Sequence, residues 1–547
     1  MIAIMGHINN HFGVFYLGVA AGVYFKPEYA IYGSIIATIA ILFTVVSISK
    51  LIYQLFLYPQ FITPLKHFPA PSNRHWLTGN TTSVLVDTPH AQMKLWAKTI
   101  PNDGIIRYYI AGNLERLTIT SPAALSEILV SKVYDFAKPL VIQQTLSRVL
   151  GNGILVAEGE EHKFQRKNLM PAFAYRHIKN LYPVFWSKST EMVKLIRKDL
   201  QSRKTTEENT IQVRNWASRS TLDIIGLASM GQDFDSLRNP ENSLSQSYEM
   251  IFATPGLGSK ILFVFGMFLG DTKWLAKLPT KQNKLIDAGC RDIRDAARRM
   301  IRRQKEKMED PNAELQLDII SVALRSGNFD DENLVDQIMT FLGAGHETTA
   351  GALQWAVYVL CKYPEVQTRL REEVRANLPP INVESPGPIG AATIDSLRYL
   401  HAVCNEVIRF HPSVPNTIRV ALKDTTLMGK PVPKGTQVVI SPELVNHMPE
   451  LWGSDADKFN PDRFMGPSKT NTGGATSNYA FLSFLHGPRS CIGQGFAKAE
   501  LACLLAAVVG SFEFELKYPD AQLEVREGAT ISPKDGVLAK FTPLEGW

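Results

Sequence analysis

One cysteine, in the run Phe484-Leu485-His486-Gly487-Pro488-Arg489-Ser490-Cys491-Ile492-Gly493, limits what this chain can fold into more than any other feature. Two glycines, a proline and an arginine surround its thiol and lead straight into an apolar helical stretch, Gln494 to Val509. A thiolate stays ionised only where positive charge stabilises it, and an arginine beside a helix N-terminus supplies that. Gly487 and Gly493 remove side chains where a flat ligand could press on the backbone. A lone cysteine is far more often an inert, buried packing residue than a ligand. Ten residues of context reverse that balance.

The 547 residues carry a formal charge of +6, slight for such a length, and no basic tract interleaved with aromatics. Nucleic-acid binding gains no support from this. Five cysteines (Cys290, Cys361, Cys404, Cys491, Cys503) form no CxxC pair. A disulfide framework or a zinc site is therefore a poor reading, and a reducing compartment fits best.

Tyr29 to Ser47 is uncharged and continues through Ser49 to Lys50. About 20 apolar residues cross a bilayer core, so this run is expected to be a transmembrane anchor over 29–49. It begins too late, and lacks the basic start and cleavage site, for a removable signal. Residues 1–28, with the shorter apolar stretch Phe12 to Phe25, read as interfacial, a poor second span being the alternative. Lys50, Lys66, His67 and Arg74 follow the anchor, which orients the C-terminal body to the cytosol in a single pass. On that side Asn80-Thr81-Thr82 stays unglycosylated. Pro59, Pro64, Pro69 and Pro71 predict a stiff, extended hinge over 50–74. Residues 75–547 then read as one body, mainly α with a small β region.

Within that body Asp331 to Lys362 is apolar on nearly every face, as for a helix buried through a large domain, and Pro364 ends it. Pro364 to Ala376 is amphipathic with i,i+4 charge pairs. Strands are expected at Ile105 to Tyr109, Arg116 to Ile119 and Gln437 to Ile440, and loops at Leu378 to Ala392 and Met465 to Asn478.

Inside the central helix stands Gly343-Ala344-Gly345-His346-Glu347-Thr348-Thr349. Interior glycines cost roughly 1 kcal/mol each relative to Ala, so they need a reason. Thr348 and Thr349 can bond back to carbonyls one turn earlier and open the helix, leaving a groove for a diatomic molecule and a water. Read alone, a helix-packing Gly-x-Gly with an ion-paired Glu347 is the plainer account. His346 either faces substrate or fills space. Glu406 and Arg409 are three apart on one helix and can pair, most often as a plain salt bridge. His162 and Arg166 are four apart and point the same way.

Taken together, these runs resemble the cytochrome P450 superfamily over about Pro64 to Leu544. Phe-x-x-Gly-x-Arg-x-Cys-x-Gly resembles its haem-thiolate loop with every signature position filled. The resemblance implies Cys491 as the iron ligand, with Phe484, Gly487, Arg489 and Gly493 shaping the haem site. The glycine-threonine run is similar to the family's oxygen-binding motif, which implies that Thr348 orients dioxygen and Glu347 feeds protons. Glu406, Arg409 and Arg463 (in Phe459-Asn460-Pro461-Asp462-Arg463-Phe464) resemble a structural triad needed for haem incorporation. His162, Arg166, Arg419 and Arg489 stand where the family pairs with haem propionates, His162 replacing the usual tryptophan. The tail from Ile531 to Val537 is similar to the family's terminal hairpin.

The implied fold is the cytochrome P450 fold behind an N-terminal transmembrane helix. The implied protein is a haem-thiolate monooxygenase of the endoplasmic reticulum membrane, in the style of fungal secondary metabolism. O2 is its oxidant, and its electrons come from NADPH through a flavoprotein reductase, with cytochrome b5 as an optional second donor. Lys498 is a candidate reductase contact, a solvated helix lysine being the plainer reading. Apolar residues Phe341, Leu140, Ile142, Leu150, Ile154, Val414 and Ile418 point to a lipophilic small molecule such as a terpenoid or polyketide. Three other functions fit parts of the sequence: a haem-thiolate isomerase or dehydratase, a non-catalytic haem protein, and a cysteine hydrolase using His486 or His447.

Overall fold

In the computed structural model, which describes residues 30–76, 78–81, 89–203, 209–242, 272–310, 318–381, 389–521, 523–527 and 530–547 with isolated positions besides, helices dominate. Most of Phe12 to Phe25, Tyr29, Thr82 of the glycosylation triplet and the centre of the loop after Leu378 lie outside the described residues. The chain groups into two compact units, Met1–Pro139 with Asn416–Leu444, and Leu140–Pro415 with Val445–Trp547.

The first unit is built on a five-stranded sheet in the order Ile105–Ile110, Leu114–Ile119, Gln437–Ile440, Thr417–Ala421, Phe136–Ala137. The first two strands turn through Gly112 at φ 74° and Asn113 at φ 53°, the left-handed region that glycine and asparagine tolerate best. Leu117, Ile119, Val438 and Ile440 are buried, as β-branched and aliphatic side chains on a packed sheet should be.

Its N-terminal helix departs from the expected anchor. Gly33 at φ 66° ends a short 3-10 turn, and the Ser34 hydroxyl accepts the Ala37 N–H, so the α-helix starts at Ile35 and runs to Ile52. Its uninterrupted apolar stretch, Ile36–Ser49, is shorter than a full bilayer span. Ile36, Phe43, Val45 and Ile48 are all exposed.

The expected extended hinge is largely helical instead. Wider π-helical turns continue from Tyr53 to Ile62 and take in Pro59. Proline lacks an N–H, which in a π-helix would serve the carbonyl five residues back, Gln54. Asn113 Nδ2 donates to the Leu55 carbonyl at 2.6 Å, and the Tyr109 hydroxyl donates to the Pro59 carbonyl at 3.3 Å. Side chains from the first two strands and their turn thus hold carbonyls on either side of the proline. Only Phe68 onward is extended, after a 3-10 turn at Pro64–His67.

The second unit surrounds the helix Asp331–Lys362, whose bounds match the expectation. Asp330 caps it by accepting the Asn333 N–H at 2.7 Å. It packs most extensively on Val213–Met230, and Gly345 explains how: a Cβ there would come within 2.9 Å of Ile225 Cδ1. The glycine serves close helix approach. The expected local opening does not occur; the helix is unbroken through Thr349. Thr348 Oγ1 donates to the Ala344 carbonyl at 2.8 Å, and a carbonyl has a second lone pair to share. Gln494–Ser511 is, among the described residues, the one helix long and apolar enough to cross a membrane, yet it is 78% buried and forms core. The tail hairpin pairs Val525–Glu527 with Ile531–Pro533.

A buried charge network positions the cysteine run. Glu406 and Arg409 have no exposed surface. Arg409 Nε and Nη2 donate to the two Glu406 oxygens at 2.7 and 2.8 Å, and Arg463 Nε donates to Oε1 at 3.1 Å. Arg409 Nη1 and Nη2 also serve the carbonyls of Asn446 (2.6 Å), Ala456 (2.8 Å) and Lys458 (3.1 Å). Asn446 carries the network onward: its Nδ2 donates to Ser483 Oγ at 2.8 Å and its Oδ1 accepts the Leu482 N–H at 2.9 Å. Leu482 and Ser483 immediately precede Phe484, so the triad reaches the cysteine loop through one asparagine.

Removing Arg409 would leave the buried Glu406 carboxylate only half-satisfied and the Asn446 and Ala456 carbonyls without that donor, a change worth roughly 3–5 kcal/mol. Arg409→Ala is therefore expected to lower the unfolding free energy, measured by denaturant titration, by about that much. Arg409→Lys should fail nearly as badly, because one ammonium cannot reproduce the fork. A Lys variant with wild-type unfolding would show that the fork is not what the site requires.

Candidate active site

The loop that presents Cys491 is a chain of short turns. Leu485 N–H donates to the Leu482 carbonyl at 2.8 Å, and Leu485 sits at φ 56°, a strained setting for a leucine. Gly487 at φ 76° opens a 3-10 turn to Arg489, and Ser490 N–H closes it on the Gly487 carbonyl at 3.0 Å. Cys491 N–H then donates to the Phe484 carbonyl at 2.8 Å. The loop ends held at both sides of the thiol, with the helix Gln494–Ser511 following at once.

Cys491 is exposed, whereas Cys290, Cys404 and Cys503 are buried and Cys361 is half-buried. Although one side is open, its sulfur lies deep in protein, and burial pushes the thiol pKa up. The Gly493 N–H and the Arg166 charge pull it the other way. Both favour the anion, so the local groups suit a thiol that loses its proton when its sulfur binds a metal. Gly493 has φ −88°, open to any residue, so its lack of a side chain is about space. A Cβ there would meet Phe173 Cε1 at 3.9 Å, ordinary contact.

Helix Gly159–Leu169 lies against this loop. Arg166 Nη1 donates to the Ser490 carbonyl at 2.5 Å and Nη2 reaches Ser490 Oγ at 3.3 Å. Arg489 is ion-paired with Glu158, which precedes that helix. His162 is buried one turn before Arg166. An anionic sulfur, a bare glycine and two carboxylate-seeking arginines side by side fit an iron porphyrin with acidic substituents. Arg419 belongs to the first unit, on Thr417–Ala421, where its Nη1 donates to Thr417 Oγ1 at 2.6 Å and to the Ile418 carbonyl at 3.0 Å.

On the central helix Ala344, Glu347 and Thr348 are half-buried, while His346 and Thr349 are buried. His346 turns away from that face. Its Nδ1 is 2.7 Å from the Leu342 carbonyl and its ring meets Tyr248 edge-on at 4.8 Å, so it is a packing residue. Burial lowers its pKa, which keeps it neutral. Phe173 packs edge-on against Phe341 at 5.4 Å and also borders Gly493, joining the helix to the cysteine loop.

Lys498 is not a solvated surface charge. Its ammonium stands over the rings of Phe481 (5.1 Å) and Phe484 (5.8 Å), and burial pushes its pKa down to about 8. His447 packs on Phe410 at 5.1 Å and His486 on Tyr479 at 5.0 Å. The charge acting on the Cys491 sulfur is Arg166, which cannot accept a proton, so a hydrolase pairing has no support.

Sequence reasoning missed Asn446, Ser483, Glu158, Phe173 and Ser413, whose hydroxyl donates to the Thr348 carbonyl at 3.0 Å. Their types are common and their spacing from the motifs carries no pattern. Only folding brings them in.

The family model for Cytochrome P450 matches residues 69–539. The chain is 81% identical to "Cytochrome P450 monooxygenase sphH" of Aspergillus fumigatus, over 99% of this chain and 100% of that one. It is 41% identical to "Cytochrome P450 monooxygenase FSL4" of Gibberella zeae, over 90% and 91% of the two chains. It is also 39% identical to "Cytochrome P450 monooxygenase FUM15" of Gibberella moniliformis, over 91% and 92%. With a family model over most of its length and full-length relatives of this kind, the chain belongs to the cytochrome P450 family of haem-thiolate monooxygenases.

Proposed function

We propose that Cys491 is the thiolate ligand of haem iron in this chain, and that the enzyme inserts one oxygen atom from O2 into a lipophilic small molecule of fungal secondary metabolism. The observation that carries this reading is the setting of one sulfur, with the Gly493 amide and Arg166 favouring its anion and Arg166 holding the adjacent Ser490 carbonyl. Haem, when bound, supplies the activation of dioxygen and the oxidising power for a C–H bond, with thiolate donation favouring O–O cleavage.

The residues of the chain bind, orient and move protons around that group. The Gly493 N–H tunes the sulfur's donation, and Phe484 shields it. Arg166, Arg489 and His162 would hold the carboxylates of the macrocycle. Thr348 Oγ1 donates its hydrogen bond to the Ala344 carbonyl, which leaves its lone pairs to accept a hydrogen bond from a water. Passing a proton onward requires that hydroxyl to turn from Ala344. Glu347, half-buried on the adjacent position, is the acid that can reload it. The buried triad holds the loop so that the sulfur does not wander.

Electrons are assigned to NADPH through a flavoprotein reductase in the same membrane, with cytochrome b5 as a second donor. The exposed apolar side chains of Ile35–Ile52, and the basic residues that follow, support single-pass anchoring in the endoplasmic reticulum with the catalytic part in the cytosol. Leu140, Leu155 and Val414 are apolar yet exposed in the second unit, which supports a lipophilic substrate. Fungal relatives support the metabolic setting.

Cys491→Ala is expected to abolish the thiolate-type carbon monoxide difference band while folded protein persists; an unchanged band would remove the ligand assignment. Thr348→Ala should keep haem but divert NADPH-derived electrons to hydrogen peroxide and slow product formation by roughly 10²-fold, the lower range of a lost general-acid contribution. Turnover should need both NADPH and reductase. Product formed without either would instead mark an isomerase or dehydratase.

A further inference from the structure

The carbonyl of Thr348 is the start of a closed circuit of hydrogen bonds. Ser413 Oγ donates to it at 3.0 Å. The Ser413 carbonyl accepts the Ile531 N–H at 2.9 Å. The Ile531 carbonyl accepts Trp355 Nε1–H at 3.3 Å, and Trp355 lies two turns beyond Thr348 on the same helix. Gly351 sits beneath this circuit, where a Cβ would be 3.9 Å from the Ile531 carbonyl and 4.0 Å from Ser413 Oγ. Trp355 is fixed in turn, fully buried and stacked at 3.9 Å and 11° on His411, two residues before Ser413.

We infer that Ser413 is a positioning residue for Thr348: its hydroxyl holds the Thr348 peptide and ties it to the Ser413 and Ile531 backbone segments. The reasoning is local. Thr348 uses its side chain on Ala344 and receives Ser413 on its main chain, so both ends of the residue are pinned. Ser413 adjoins Val414, an exposed apolar side chain, and Ile531 belongs to the tail hairpin. A molecule pressing on either segment would bear on the Thr348 peptide through a single hydrogen bond. The Ser413 bond thereby fixes the backbone from which the Thr348 hydroxyl reaches the Ala344 carbonyl. The inference rests on the reading of Thr348 as the proton-handling residue.

Removing the Ser413 hydroxyl leaves the helical bond to the same carbonyl available, so the fold should persist. Hydrogen–deuterium exchange by mass spectrometry, on the full-length enzyme in membrane mimetic, should show peptides spanning residues 344–355 exchanging several-fold faster in Ser413→Ala. Ser413→Thr keeps a donor and should restore wild-type exchange. With purified reductase, NADPH and no organic substrate added, Ser413→Ala should release at least twofold more peroxide per NADPH, and Ser413→Thr should not. Unchanged exchange in Ser413→Ala, or failure of the threonine to rescue, would overturn the inference. Thr348→Ala is the control: if it leaves peroxide release unchanged, the reading of Thr348 fails. If it raises peroxide while Ser413→Ala does not, only the Ser413 inference fails.

Discussion

One guanidinium, that of Arg409, is what the active region depends on. It is wholly buried, where an unpaired charge would be intolerable, and every direction of its fork meets an acceptor. Those acceptors come from three places far apart in the chain: its own helix, the segment at Asn446, and the stretch Ala456 to Lys458. Because a buried charge cannot be left half-satisfied, these three cannot drift apart independently. Asn446 converts that rigidity into a fixed start for the cysteine loop. The strained φ of Leu485 can persist because its flanks are so held.

At the loop itself the physical problem is the opposite. Packing around the Cys491 sulfur favours the neutral thiol. A backbone amide and one arginine oppose that effect. The same arginine grips Ser490 and lies one turn from buried His162, so charge and loop geometry are served by one helix. Across from it the central helix offers a half-buried face at Ala344, Glu347 and Thr348, and keeps His346 and Thr349 inside.

Much of this could be read from the chain beforehand where motif and local physics agreed. Asp331 to Lys362 appeared as a helix with its observed ends, since an Asp cap and a following proline are local signals. Pairing of Glu406 with Arg409 followed from their spacing, though not that both would be fully buried. Gly345 was legible as unusual but not as the seat of Ile225, which lies 120 positions earlier. The proline hinge misled because Asn113 and Tyr109, distant in sequence, hold the carbonyls of Leu55 and Pro59. Lys498 looked like a surface charge because a helix position does not reveal that two phenylalanine rings lie over it.

What the amino-acid order determined by itself was chemistry and family: a thiol in a glycine- and arginine-bearing run, an acid beside two threonines, and paired charges in a fixed succession. Those properties reside within a few neighbouring residues, so they survive without knowledge of the fold. What tertiary structure alone decided was which carbonyl each donor serves. Asn446 on the loop, Asn113 on Leu55 and Ser413 on Thr348 all join positions tens of residues apart. Serine and asparagine are too common for their spacing to announce such bonds. The need to satisfy every buried polar group is a constraint on the folded whole, and it becomes visible only when the chain has closed on itself.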